Sequence, residues 1–141
     1  MKILIYMENS ATDYSGGRYH GVLLGYGLAS QNNQVYVYTN NIPVFDKDFE
    51  SVRSDNFSYI LSSRFKPLGD FKYDIVLVVP SMGNYEKISY FNSALITTYR
   101  NKSHLILLNF ESPNWFNQLS PKKRDEKLWN GWFLISKFSD T

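Results

Sequence analysis

MKILIYMENSATDYSGGRYHGVLLGYGLASQNNQVYVYT, Met1 to Thr39, is the stretch whose reading decides the fold. Ile3-Leu4-Ile5-Tyr6 is a short apolar run, as in a strand buried on both faces. A polar, turn-rich loop follows from Glu8 to Ser15, then the pair Gly16-Gly17. From Arg18 to Gln31 the apolar period becomes helical, and Val35-Tyr36-Val37-Tyr38 is a second strand. Strand, helix and strand over about 30 residues or more form a βαβ unit, whose crossover is almost always right-handed.

Gly16-Gly17 stands where strand hands over to helix. The first N–H groups of a helix have no partner inside it, and the helix dipole adds partial positive charge there. Glycine lets the backbone approach a ligand and adopt positive φ, so a phosphate is welcome at this point. The other reading is a tight turn that needs only glycine. The spacing is not G-x-G-x-x-G, no Gly-Lys-Ser/Thr follows, and Thr39-Asn40-Asn41 stands where a dinucleotide site needs an acid. A nicotinamide dehydrogenase is therefore disfavoured.

In helix one, Tyr19, Val22, Leu23 and Tyr26 make the apolar stripe. Gly21 and Gly25, one turn apart, imply that a neighbouring backbone packs very close, because each glycine costs about 1 kcal/mol against alanine in a helix. Gln31-Asn32-Asn33 ends the helix, with asparagine suited to a left-handed cap. Asn40 to Asn56 reads as loop with one short helical turn. Phe57, Tyr59 and Leu61 alternate with polar residues, as in a strand near a sheet edge.

Ile75 to Val79 after Tyr73-Asp74 is the strongest buried-strand signal. A helix is expected over Tyr85 to Arg100 on the stripe Ile88, Phe91, Leu95, Ile96 and Tyr99, then a strand over Leu105 to Leu108. A charged helix follows from Pro121 to about Asn130, and a last strand over Trp132 to Ile135. The order points to a mostly parallel sheet covered by helices on both faces, with ligands bound outside the carboxyl ends of the strands. Four loops meet that condition: Glu8 to Gly17, Pro80 to Asn84, Asn109 to Trp115, and Ser136 onward.

The 141 residues suit one domain with a real core. A net charge of +2 does not argue for nucleic acid or an acidic membrane. Lys122-Lys123-Arg124 runs straight into Asp125-Glu126 and reads as a solvated helix turn. Absence of cysteine excludes disulfides and thiol catalysis and fits a reducing compartment. The first apolar run is too short for a signal peptide, and no run reaches the roughly 18 apolar residues of a spanning helix. A cytoplasmic protein is expected, with peripheral membrane contact left open. No His/Asp/Glu group has metal-ligand spacing, so no metal or cofactor is expected. Ser139-Asp140-Thr141 looks like a cap with no helix after it, which implies a longer chain.

These pieces resemble the N-terminal domain of a GT-B glycosyltransferase of the large retaining family four. The resemblance is carried across nearly the whole chain by MKILIYMENS, SGGRYHGVLLGYGLASQNNQVYVYT, YDIVLVVPS, HLILLNFESP and WNGWFLISKFSDT. It implies a Rossmann-like α/β domain over residues 1–141 that binds the acceptor, as the N-terminal half of a two-domain enzyme. The donor domain, with the nucleotide-sugar site and a glutamate pair, is then absent from this chain. The partners implied are a nucleotide sugar, an acceptor glycan, lipid or small molecule, and that missing domain.

Carried onto this sequence, Gly16 and Gly17 match the loop that meets the donor diphosphate, where backbone N–H groups offset developing charge. Arg18 adds charge there or is a solvated first-turn residue. His20 is a cleft donor or a helix-face histidine. Glu111 stands where the family presents a polar cleft residue able to accept an acceptor hydroxyl's proton; many members have histidine nearby, whereas this chain has Asn109-Phe110-Glu111. Ser81 and Asn84 bind sugar hydroxyls or form a plain turn. Trp115 and Phe116 stack on a sugar or anchor a loop. Ser136 bonds an inter-domain linker or caps a strand, and His104 is structural. The competing class is a stand-alone Rossmann-like ligand-binding or signalling module. A phosphoreceiver would use Glu8, Asp13 and Lys137, but their spacing is poor and leaves Gly16-Gly17 unexplained.

Overall fold

Lys2–Met7 forms strand β1, and residues 3–7 are all buried because both faces of this strand are covered. A computed structural model describes residues 1–7, 16–62, 72–79, 98–99 and 102–108. Helix α1 (Gly16–Ser30), β2 (Gln34–Thr39), a 3-10 helix (Asp46–Val52), β3 (Phe57–Leu61), β4 (Ile75–Val79) and β5 (His104–Leu107) follow. The strands form one parallel sheet in the order β3-β2-β1-β4-β5. β1 is central: Ile3 pairs with Val35 on one side and with Ile75 on the other. β3 lies at the edge, as its mixed composition implies.

Strand alternation divides the core in two. Ile3, Ile5 and Met7 join Val35, Val37, Leu77 and Val79 on one face, covered by Val22, Tyr26 and Ala29 of α1 and by Phe45 and Phe49. Leu4 and Tyr6 join Tyr38, Val76, Val78 and Leu105 on the other, with Tyr73 and Tyr99. Thr98 and Tyr99 are helical and Tyr99 packs on this second face of the α/β Rossmann-like sheet, while the rest of the helix expected over Tyr85 to Arg100 and the helix expected from Pro121 lie outside the described residues.

Helix α1 differs from its sequence reading in three respects. It begins at Gly16 rather than Arg18, so the glycine pair is the first helical turn and not a loop. Its buried residues are Gly21, Val22, Gly25, Tyr26 and Ala29, while Leu23 is 46% exposed. The glycines form the line of closest approach and turn Leu23 outward. Thirdly, side chains rather than backbone crowd the glycines. A Cβ on Gly21 would stand 2.9 Å from Val79 Cγ2, and one on Gly25 2.8 Å from Phe57 Cε2 and 3.1 Å from Ile5 Cδ1. The helix ends as expected: Asn32 has φ 60°, its N–H donates to Ala29 O at 3.1 Å, and Asn33 Nδ2 donates to Leu28 O at 2.9 Å.

Asp74 locks the opposite, amino edge. Its carboxylate accepts the Lys2 N–H at 2.7 Å, its own N–H donates to Lys2 O at 2.8 Å, and its carbonyl accepts from His104 N–H at 3.0 Å. One residue thus ties β1, β4 and β5 together where they begin. The Tyr73-Asp74 pair of the sequence is structural. The main-chain bond that starts β5 places His104 in the same tie.

Candidate functional site

Two contacts set the direction of α1. Gly21 faces Met7 and Val79, the last residues of β1 and β4, whereas Gly25 faces Ile5 and Phe57. The helix therefore runs antiparallel to the strands. Four helical residues rise about 6 Å, matching the two strand residues from Met7 back to Ile5 at about 3.3 Å each. By the same rise, Gly16 lies about 7 Å beyond Gly21, past the carboxyl end of β1.

The strand order makes that place special. The chain leaves β1 towards β2 and β3 on one side, and β4 and β5 lie on the other. The β1/β4 boundary is the switch point at which parallel α/β sheets bind ligands. Gly16 and Gly17 open the helix there. Among the described residues nothing lies within 4 Å of a Cβ built on Gly16, and no described glycine has positive φ. Among the described residues neither packing nor backbone strain calls for glycine at position 16. The bare backbone at this position stands at the positive end of the helix.

Arg18 is half-buried in this first turn, and His20 is exposed one turn on. His20 Nδ1 lies 2.7 Å from Gly16 O. A carbonyl only accepts, so Nδ1 carries the proton and donates, leaving Nε2 as acceptor in the neutral ring. Beside them Thr39, fully buried at the end of β2, donates its hydroxyl to Asn41 O at 3.1 Å. That contact closes the turn over Thr39-Asn40-Asn41.

The structure thus brings Gly16, Gly17, Arg18 and His20 together at the switch point. Ser81, Asn84, Glu111, Trp115 and Ser136 lie outside the described residues, as do Glu8, Asp13, Phe116, Lys137 and the last expected strand. Among the described residues no group of three or more His, Asp and Glu could hold a metal. No described helix is long and apolar enough to cross a membrane.

A second polar centre escaped the sequence reading. Asp46, 8% exposed, sits between α1, the 3-10 helix and β3. Tyr59 donates its hydroxyl to Asp46 Oδ1 at 2.6 Å, Tyr26 donates to the same oxygen at 3.0 Å, and Arg53 Nη2 donates to Oδ2 at 3.2 Å. Burial, reinforced by these bonds to a carboxylate, pushes the Tyr26 hydroxyl up to about 12 and Tyr59 further. Burial raises Tyr73 as well, with Tyr99 and Tyr36 adding to it. Asp46 stands 20, 7 and 13 residues from Tyr26, Arg53 and Tyr59. Such separations leave no local motif; the only signal in the sequence is an acid amid apolar Val44-Phe45 and Phe49.

The described fold defines a Rossmann-like α/β protein with an open glycine helix start at its switch point. No protein-family model matches the chain, and no curated protein matches it.

Proposed function

We propose that this chain is the acceptor-side domain of a retaining, GT-B-type glycosyltransferase. Such an enzyme moves a sugar from a nucleotide-sugar donor to an acceptor hydroxyl. The observation that supports the reading best is the start of α1 at Gly16-Gly17, beyond the β1/β4 switch point, with open space where a Cβ on Gly16 would stand. In this reading the first-turn N–H groups meet the donor diphosphate, and Arg18 adds charge. Their dipoles are fixed before the reaction, so they stabilise the leaving phosphate without reorganising. Glu111 takes the acceptor proton. Most of the nucleotide contact and the glutamate pair come from a second domain, so the 141 residues alone do not catalyse transfer.

The test is a transfer assay on the product of the full native reading frame, with UDP-, GDP- and ADP-sugars. Gly17→Trp is expected to keep the far-ultraviolet circular dichroism of the parent while turnover falls at least about a hundredfold, the scale of losing an oxyanion-type donor. Turnover equal to the parent in Gly17→Trp removes the phosphate role. A reading frame that stops at Thr141 removes the transferase reading and leaves a ligand-binding module.

A further inference from the structure

Beside the edge strand β3 the surface sinks into a recess of about 420 Å3 lined by Tyr26, Ile42, Asp46, Arg53, Ser54, Asp55, Phe57, Ser58 and Tyr59. Its volume falls in the range of about 300–1,000 Å3 that small-molecule sites occupy. It is distinct from the switch point. β3 is two strands from β1, about 10 Å in the plane of the sheet. Phe57 and Tyr59 pair with Val35 and Val37, towards the amino half of the sheet, away from Gly16.

We propose that this recess binds a small neutral polyhydroxylated molecule, a mono- or disaccharide. Three observations select that chemistry. The first is the mixed hydrogen-bonding character of the wall. Arg53 uses one N–H on Asp46 while its side chain is 58% exposed, so the rest of its donor fork faces outward. Ser54 Oγ accepts the Asn56 N–H at 3.2 Å and keeps its own proton to donate. Asp55 is exposed at the rim. Tyr26 and Tyr59 use their protons on Asp46 and present oxygens that only accept. Donors and acceptors therefore alternate around one concavity, as hydroxyl groups require.

The second observation is charge. Two carboxylates, Asp46 and Asp55, stand with one guanidinium, an imbalance that repels an anion. At Asp46 a cationic ligand would have to compete with Arg53, which already holds it at 3.2 Å, and the exposed Asp55 is what the tetramethylammonium control tests. A neutral ligand meets neither obstacle. The third is rigidity. Tyr26 and Phe57 stack with centroids 3.9 Å apart, and Phe57 meets Tyr59 edge-on at 5.2 Å. Half-buried Phe57 and Tyr59 with half-exposed Ile42 offer the apolar side of the recess, and Tyr26, 4% exposed and stacked between Phe49 and Phe57, backs it. The hub at Asp46 holds Arg53 and Tyr59 in place before any ligand arrives, which lowers the entropy cost of binding.

The proposal goes beyond the transferase reading and does not rest on it. The test is a titration of the 141-residue chain, followed by amide chemical shifts, with glucose, galactose, N-acetylglucosamine and maltose, and with inorganic phosphate and tetramethylammonium as controls. Saturable shifts from at least one sugar at Ile42 and Arg53 to Tyr59 are expected. Arg53→Ala should weaken that sugar at least about tenfold. Ser54→Trp, in the loop that lines the recess before β3, places an indole in it and should abolish the shifts while the rest of the spectrum is kept. No saturable shift from any sugar overturns the proposal, as do shifts that persist in Ser54→Trp or saturation by phosphate or tetramethylammonium alone. Shifts confined to Gly16, Gly17 and Met7 would also overturn it, leaving the switch-point reading untouched.

Discussion

The two faces of the sheet are built on different principles. Beneath α1 the core is mainly aliphatic, and the helix is drawn so close that Gly21 and Gly25 have no room for a Cβ. On the other face four of the eight described core residues are tyrosines: Tyr6, Tyr38, Tyr73 and Tyr99. Their rings meet edge to face, Tyr6 with Tyr38 at 4.8 Å and with Tyr99 at 5.9 Å. Shape fixes the first face, since a helix seated on glycine can slide or rotate little. Volume and ring contacts hold the second. The α1 face thereby holds the helix against the ends of β1 and β4 and places its first turn.

The largest expected effect comes from emptying the tyrosine face. Tyr6→Ala should cost about 4 kcal/mol, the scale of removing a buried aromatic, read by urea denaturation; a loss below about 1 kcal/mol would show that this face carries little of the stability. Gly25→Val tests the α1 face by filling it. The added carbons meet Phe57 and Ile5, and overpacking of this kind costs about 3 kcal/mol despite valine's better helix propensity. A variant as stable as the parent would mean that α1 can lift away, and the argument placing Gly16 would lose its basis.

Asp46→Asn sharpens the contrast between both faces and the flank that joins α1 to β3. The amide still accepts from both tyrosines but leaves Arg53 without its anion, so about 2 kcal/mol is expected, again by denaturant midpoint. A pH series on the parent addresses the same tyrosines. Their hydroxyls are raised above the ordinary 10.0 in the folded state, so the folded protein binds more protons than the unfolded one at alkaline pH. The associated stability is complete below pH 10 and is lost as pH rises, through about 12 for Tyr26. Thermal midpoints flat from pH 10 to 12 would contradict the buried hydroxyls. The smallest effect is expected at Leu23→Gln, within about 0.5 kcal/mol because the side chain is half exposed. A loss near that of a core leucine would restore Leu23 to the buried stripe.

Much of this architecture is legible from apolar runs. β1, β2 and β4 stand out because strands covered on both faces need unbroken hydrophobicity, and β3 reveals its edge position by its polar alternates. Asn32 announces its own left-handed cap. The start of α1 was less legible, since glycine in a first turn and glycine in a loop look alike without the neighbouring strand ends. The Asp46 centre was not legible at all. Its partners come from a helix, a 3-10 turn and an edge strand that only the fold brings together.

By itself, then, the sequence determined the alternation of strands and helix and the parallel course of the first strands, because periodicity and chain connectivity are local properties. Tertiary structure alone decided which face of α1 is buried, what crowds its glycines and what neutralises Asp46. Those outcomes depend on distances between residues far apart in the chain, which only packing sets.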